Sequence, residues 1–205
     1  MDNKALFKLS YGIFMLATKD GEKINGCITN TCIQVANDPT RVAISVLNSN
    51  YTCDLIKNSG VFAISILDKN CTFDTIKHFG YQSGRDVDKF ADINASFDEN
   101  GIPYLTENVS SVVTGKVLEK HELGTHTLFI AEVTDARMIT GEAPLTYDYY
   151  QSNVKPKPAA VNAEKKIKAW RCKICGYIYE GSDLPKDFVC PLCGHGAEDF
   201  EPIYE

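Results

Sequence analysis

The chain has 205 residues and 22.7 kDa, with 44% hydrophobic and 23% charged side chains, enough for one ordinary domain and a small companion and too apolar for wholesale disorder. A net charge of −6 and a pI near 5.3 argue against a nucleic-acid surface. No run of eighteen apolar residues is present to span a membrane, and Met1-Asp2-Asn3-Lys4 lacks the pattern of a secretory signal, so a cytoplasmic location is expected.

The charge is unevenly spread: −6 over residues 1–152, +4 over 153–168 and −4 over 169–205. The middle strip holds five lysines and two prolines with few large apolar residues, and reads as a semi-extended linker. Three segments are therefore expected: a domain over 1–152, a linker over 153–168 and a small domain over 169–205.

In chain order, Ile13–Thr18 reads as a strand leading into a Lys19-Asp20-Gly21 hairpin turn, and Ile24–Ile33 as the returning strand. Asn37–Thr40 makes a turn, and Arg41–Leu47 alternates as another strand. Thr52–Asn58 reads as a helix stopped by Gly60. Val61–Leu67 is a strand and Cys71–Phe79 a helix; Val109–Leu118 and Thr127–Ile139 are the last strands of the large piece. About six strands with few helices predict a closed antiparallel barrel, mainly β. Neither a dinucleotide-binding Gly-x-Gly-x-x-Gly nor a phosphate-cradling Gly-x-x-x-x-Gly-Lys loop occurs.

Cys172, Cys175, Cys190 and Cys193 form two Cys-x-x-Cys pairs fourteen residues apart, the pattern of a single tetrathiolate metal site. The 37 residues from Ala169 fall below the roughly 40 at which an apolar core alone suffices, so metal binding has to supply folding energy. Spacing alone suits a zinc ribbon as well as iron. Cys27, Cys32, Cys53 and Cys71 are irregularly spaced, and Cys27 and Cys32, flanking Thr29-Asn30-Thr31, read as buried small hydrophobes.

Trp170-Arg-Cys-Lys-Ile-Cys-Gly-Tyr-Ile-Tyr, Leu184-Pro185 and Phe188-Val-Cys-Pro-Leu-Cys-Gly194 resemble a rubredoxin domain, in the compact form that ends rubrerythrins. That resemblance implies one iron held by the four cysteines and cycling between Fe3+ and Fe2+. The acidic domain suits docking on a basic partner.

The larger piece is similar to the flavin reductase family with its FMN-binding split β-barrel. The resembling stretches are Ser10-Tyr-Gly12, Gly26–Gln34, Asp38-Pro39, Ile44–Val46, Thr52–Ile56, Gly60–Leu67, Ser83–Phe90 and Thr125–Val133. The resemblance implies that Thr29, Asn30, Thr31, Gln34, Ser45 and Val46 line the flavin ring. By the same likeness Asn48, Asn50 and Thr52 meet the phosphate, Arg85 and Lys89 lie on a loop facing the flavin, and His126 is near it as a catalytic candidate. It further implies a homodimer.

Together the halves resemble flavin–rubredoxin fusion proteins of anaerobic bacteria. The expectation is electron transfer from NAD(P)H through FMN to iron, and on to an acceptor such as a flavodiiron protein that reduces O2 or NO. The alternatives are a flavin or ferric reductase with a structural zinc ribbon, and a non-enzymatic flavin–iron electron carrier reduced by another protein.

Overall fold

A computed structural model describes residues 3–156 and 167–204. The chain forms two compact units, Met1–Lys155 and Pro156–Glu205. Within the basic strip, Asn153 and Val154 close a helical turn and Ile167-Lys168 open a strand, while residues 157–166 lie outside the described residues.

After a 3-10 turn at Asn3–Lys8, the first unit runs β1 (Phe14–Asp20), β2 (Lys23–Thr29), β3 (Cys32–Asn37), β4 (Thr40–Leu47), α1 (Tyr51–Ser59), β5 (Val61–Leu67) and α2 (Phe73–Gly80). There follow β6 (Ser96–Phe97), β7 (Pro103–Tyr104), β8 (Val109–Glu122), β9 (His126–Met138) and α3 (Tyr147–Tyr149), which continues as a π-helical turn, Tyr150–Val154. Seven strands form one antiparallel sheet in the order β2-β1-β5-β8-β9-β4-β3.

The two outermost strands, β2 and β3, are consecutive in the chain and joined through Asn30-Thr31, so the sheet has to curl round on itself. No ladder joins them among the described residues; around Asn30-Thr31 the chain bonds to β4 instead, Thr29 Oγ1 donating to Ser45 O and Ser45 N donating to Thr31 O, each at 3.4 Å. The barrel is therefore split. The single strand expected over Ile24–Ile33 breaks at Asn30-Thr31, where Thr31 N bonds back to Thr29 Oγ1 and Thr31 Oγ1 to Asn30 Oδ1. Such local side-chain bonds compete with the ladder.

Period-two alternation sorts the sheet residues onto two faces. Phe14, Leu16, Val42, Ile44, Val46, Phe62, Ile64, Phe129 and Ala131 point inward, and Cys53 and Ile56 of α1 join them. Asn50 caps α1 by accepting from Thr52 N at 3.0 Å, and Gly60 ends it at φ 70°. Met15, Ala17, Ala63, Leu67, Val109 and Val112 form a second core with Ile76 and Phe79 of α2, closed from the far side by Ile102, Tyr104, Leu145 and Tyr150. Helix α2 starts two residues later than expected, after Thr72, and β8 continues four residues past Leu118 along an exposed hairpin with β9.

Edge strand β3 leaves Ile33 58% and Val35 47% exposed, and a bulge interrupts its pairing between Gln34 and Ala36. No helix among the described residues is long and apolar enough to cross a membrane.

The second unit is a three-stranded antiparallel sheet, β11-β10-β12, built from β10 (Ile167–Cys172), β11 (Ile178–Glu180) and β12 (Phe200–Tyr204). Phe188 meets Tyr179 edge-on at 4.7 Å and Phe200 at 5.3 Å, and lies parallel to Tyr177 at 6.4 Å. Only Cys172, Cys190 and Phe200 are fully buried in that cluster, a core too small to hold a fold unaided.

Candidate functional site

The four C-terminal sulfurs converge: all Sγ atoms of Cys172, Cys175, Cys190 and Cys193 lie within 4.8 Å of one another. Cys172–Cys193 and Cys175–Cys190 are 3.6 and 3.4 Å apart. A tetrahedron of thiolates with metal–sulfur bonds of about 2.3 Å has edges of roughly 3.8 Å, so the donor set fits a single small cation. The sequence repeats the local geometry. Gly176 N bonds Cys172 O at 2.9 Å and Cys172 N bonds Tyr177 O at 2.8 Å; Gly194 N bonds Cys190 O at 2.9 Å and Cys190 N bonds His195 O at 2.8 Å. Each loop turns through a glycine at φ 78° or 73°, which a side chain would strain.

Crowding sets the thiol chemistry. Cys172, accepting from Cys193 and from backbone N–H groups, is pulled down to about 5. Burial pushes Cys175 up to about 12, and bonding to Cys172 together with burial raises Cys193. Four anions cannot share this space without a cation at its centre. Cys172 and Cys190 are sealed, whereas Cys175 and Cys193 are half-exposed.

In the first unit, β4 and β9 pair Ser45 with Leu128, Leu47 with His126 and Ala43 with Ile130, while β3 places Ile33 opposite Ala43. These residues face away from the inner core. Leu47, Leu128, Ile130 and Ile33 belong to neither core cluster of the unit. The result is an apolar platform beside the seam, rimmed by Thr29, Asn30, Thr31, Ser45 and His126. Among the described residues Ser45 Oγ and Asn30 Nδ2 make no hydrogen bond to protein, so the rim keeps polar atoms available for the edge of a planar ring. This donor set fits a flavin heterocycle. Val46 sits behind the platform, buried in the inner core, and Gln34 lies along exposed β3 with Nε2 on Ala36 O and Asn37 Oδ1.

Past the end of β4, Arg85 NH1 donates to Ser49 O at 3.1 Å, NH2 pairs with Asp54 at 2.5 Å, and the guanidinium lies 5.1 Å from the Tyr51 ring centre. It thus puts a cation beside the first turn of α1. Three residues expected to face a ligand are spent inside the fold instead. Thr52 is fully buried with Oγ1 accepting from Asn25 Nδ2 at 3.0 Å. Lys89, 3% exposed, donates to Gly26 O at 2.9 Å and to Phe79 O at 2.8 Å, tying α2 to β2. Asn48 donates to Gly124 O at 2.8 Å and Glu122 at 3.3 Å and accepts from Thr127 Oγ1 at 2.6 Å. Asn50 spends its side-chain oxygen on the α1 cap. The platform residues Ile33, Leu128 and Ile130 were not singled out by the sequence reading. The signal for them is that β9 is apolar on both alternating faces, so a second face awaits cover.

A "Flavin reductase like domain" family model matches residues 6–156. A "Rubrerythrin, rubredoxin-like domain" model matches residues 170–201. The chain is 35% identical, over an alignment 229 positions long, to the High molecular weight rubredoxin of Moorella thermoacetica, covering 99% of this chain and 100% of that one. It is 31% identical over 169 residues to the Ferric-chelate reductase (NAD(P)H) of Archaeoglobus fulgidus, covering 81% of this chain and 100% of that one. In fold it is similar to the NADH:FAD oxidoreductase SgcE6 of Streptomyces globisporus (TM-score 0.62, 20% identity, 69% of this chain and 84% of that one). It also resembles flavin reductase PheA2 (TM-score 0.58, 21% identity, 89% and 100%).

A mainly β split barrel of flavin-binding type and a rubredoxin-like four-cysteine centre define a redox protein with two centres of different kinds. The chain belongs to the flavin reductase family, in the form fused to a C-terminal rubredoxin-like domain that characterises high-molecular-weight rubredoxins.

Proposed function

We propose that the chain is an electron-transfer oxidoreductase that takes electrons from NAD(P)H and delivers them singly to an acceptor protein, of which a flavodiiron O2 or NO reductase is the expected example. The observation that carries this reading is the convergence of four sulfurs, one pair sealed and one pair reaching the surface, on the same chain as a flavin-reductase barrel. When bound, FMN accepts two electrons as a hydride and releases them one at a time, and a tetrathiolate iron cycles Fe3+/Fe2+ by one.

The chain's own groups provide the rest. Ile33, Ala43, Leu128 and Ile130 offer an apolar surface for the ring, while Thr29, Asn30, Thr31 and Ser45 bond its polar edge. Arg85, with the α1 dipole, holds the phosphate end. The nicotinamide stacks against the ring's free side, since the chain has no dinucleotide-binding fingerprint. A second copy of the chain covers exposed Val35 beside that surface, giving a homodimer. In the small unit, Cys172, Cys175, Cys190 and Cys193 hold the iron, and the surface at Cys175 and Cys193 meets the acceptor. The connecting strip keeps the two centres at an effective concentration of roughly millimolar.

Anaerobic titration of the purified protein with NADH tests this: the absorbance of flavin and of tetrathiolate iron should both bleach within turnover time. Failure of both to bleach assigns the hydride step to another protein. Cys190→Ser should preserve NADH consumption while abolishing reduction of a flavodiiron acceptor. Undiminished delivery by that variant would remove the metal from the route. The similarity to a ferric-chelate reductase favours a second reading, in which the barrel reduces flavin or ferric chelates and the cysteines hold zinc. A colourless metal in protein made with ample iron decides for it.

A further inference from the structure

The end of the β8–β9 hairpin carries His126, and one residue outside that hairpin controls its turn. Backbone Asn48 N donates to Thr125 O at 2.9 Å, and its side-chain Nδ2 donates to Gly124 O at 2.8 Å and to Glu122 Oε2 at 3.3 Å. On the other side of the amide, Oδ1 accepts from Thr127 Oγ1 at 2.6 Å. Asn48 therefore contacts four of the six residues from Glu122 to Thr127. Gly124 supplies the turn at φ 76°. Glu122 is further anchored by Lys57 of α1 at 2.7 Å. A turn at a hairpin tip is ordinarily among the softer parts of a fold; this one is bolted to the junction between β4 and α1.

The bolted segment presents Thr125 Oγ1 to His126 Nδ1 at 2.8 Å. The threonine hydroxyl makes no other hydrogen bond among the described residues, so it can donate to Nδ1 or accept from it. Donation to Nδ1 would fix the neutral imidazole with its proton on Nε2. Across the β4–β9 pairing, His126 is opposite Leu47 on the same face as Ser45, at the rim of the platform.

We propose that Asn48 and Thr125 are positioning residues: Asn48 fixes the Gly124–Thr125 turn, and the Thr125 hydroxyl holds His126 with Nε2 as hydrogen-bond donor toward the ring-and-nicotinamide site. This rests on the reading of His126 as a group facing that site. It gives Asn48 a role other than phosphate contact.

The experiment has two readouts: the His126 tautomer by 15N NMR of the flavin-free full chain, where Nε2–H is expected and Nδ1–H would overturn the holding role, and steady-state NADH oxidation by the flavin-loaded full chain. Thr125→Val should lower kcat about tenfold, the loss of one hydrogen bond acting in the reaction, with KM for NADH changed less than about twofold. His126→Gln, whose amide nitrogen overlays Nε2, should retain most of the rate, whereas His126→Ala should lose about tenfold. In the His126→Gln background Thr125→Val should have no further effect, because Gln has no atom at Nδ1 for the hydroxyl to hold. A Thr125→Val loss of equal size in both backgrounds, or no loss beside a clear His126→Ala defect, would overturn the positioning role while leaving His126 in the site. Unchanged rates for both His126 variants would instead remove His126 itself, and the inference with it. Asn48→Ala should reproduce the loss and its dependence on His126; should that variant fail to fold, the exposed Thr125 decides alone.

Discussion

At the scale of single residues, burial decides which groups are available for chemistry. Cys27, Cys32, Cys53 and Cys71 are all pushed upward by burial, Cys71 to about 11 and Cys32 to about 12. They are packing groups, and their titration has a definite signature. In the unfolded chain these thiols ionise near 9.0, before they do so in the fold, so the unfolded state binds fewer protons above that pH. Stability should be insensitive to these groups below pH 9 and fall as the pH rises from 9 toward 11–12, by urea melts across that range. Replacing Cys32 and Cys71 with Ala should flatten the fall; an unchanged slope would assign it to other groups. Lys89 makes a different point. Its sequence neighbours, Asp86 and Asp88, suggest a solvated loop, yet its ammonium ends on carbonyls of β2 and α2. Likewise Thr52 meets Asn25 and Asn48 meets Thr127, 27 and 79 residues away in the chain. Such partners are invisible to local pattern, and that is why these three side chains read as ligand contacts in the sequence. The four converging cysteines were legible because the geometry of each pair is local: two short loops, each closed by its own glycine.

At the scale of elements, strands with a short, dense apolar run and a clear stop were readable. Arg41–Leu47 and Val61–Leu67 match β4 and β5 closely because each is a short β-branched run buried on both faces and bounded by turn residues. Ile24–Ile33 misled, since its Ile and Thr residues favour strands and the break at Asn30-Thr31 is made by short polar side chains bonding to each other. β6 and β7, two residues each, and the turns at Tyr147–Val154 lie below the length at which periodicity can be heard. The β5–β8 pairing carries a testable constraint. Phe62, fully buried, lies opposite Gly115, and a Cβ there would come within 2.8 Å of the ring. Gly115→Ala should therefore destabilise the barrel by about 1–3 kcal/mol. The denaturant midpoint should drop with the slope unchanged. Gly141→Ala, which meets open space, should leave the midpoint where it is. Equal behaviour of the two would show that the Phe62 contact is loose.

At the scale of the whole molecule, the two units are stabilised by different means. Among the described residues the barrel has two core clusters of fifteen and twelve buried residues, whereas the cluster of the small unit has three, two of them cysteines. Protein prepared without metal should therefore lose the fold of residues 167–204 while the barrel melts at its usual temperature. Limited proteolysis should then trim the chain to the barrel alone. Resistance of the metal-free tail would mean that its aromatic cluster suffices.

The bulge in β3 has a consequence for how copies of the chain can meet. An edge strand with greasy, uncovered side chains invites the addition of strand after strand without limit. Here the irregularity between Gln34 and Ala36 kinks the ladder after three residues, so a neighbour finds regular backbone only along Cys32–Gln34. That stretch is too short to template a growing fibril. The kink works as a safety catch against runaway polymerisation.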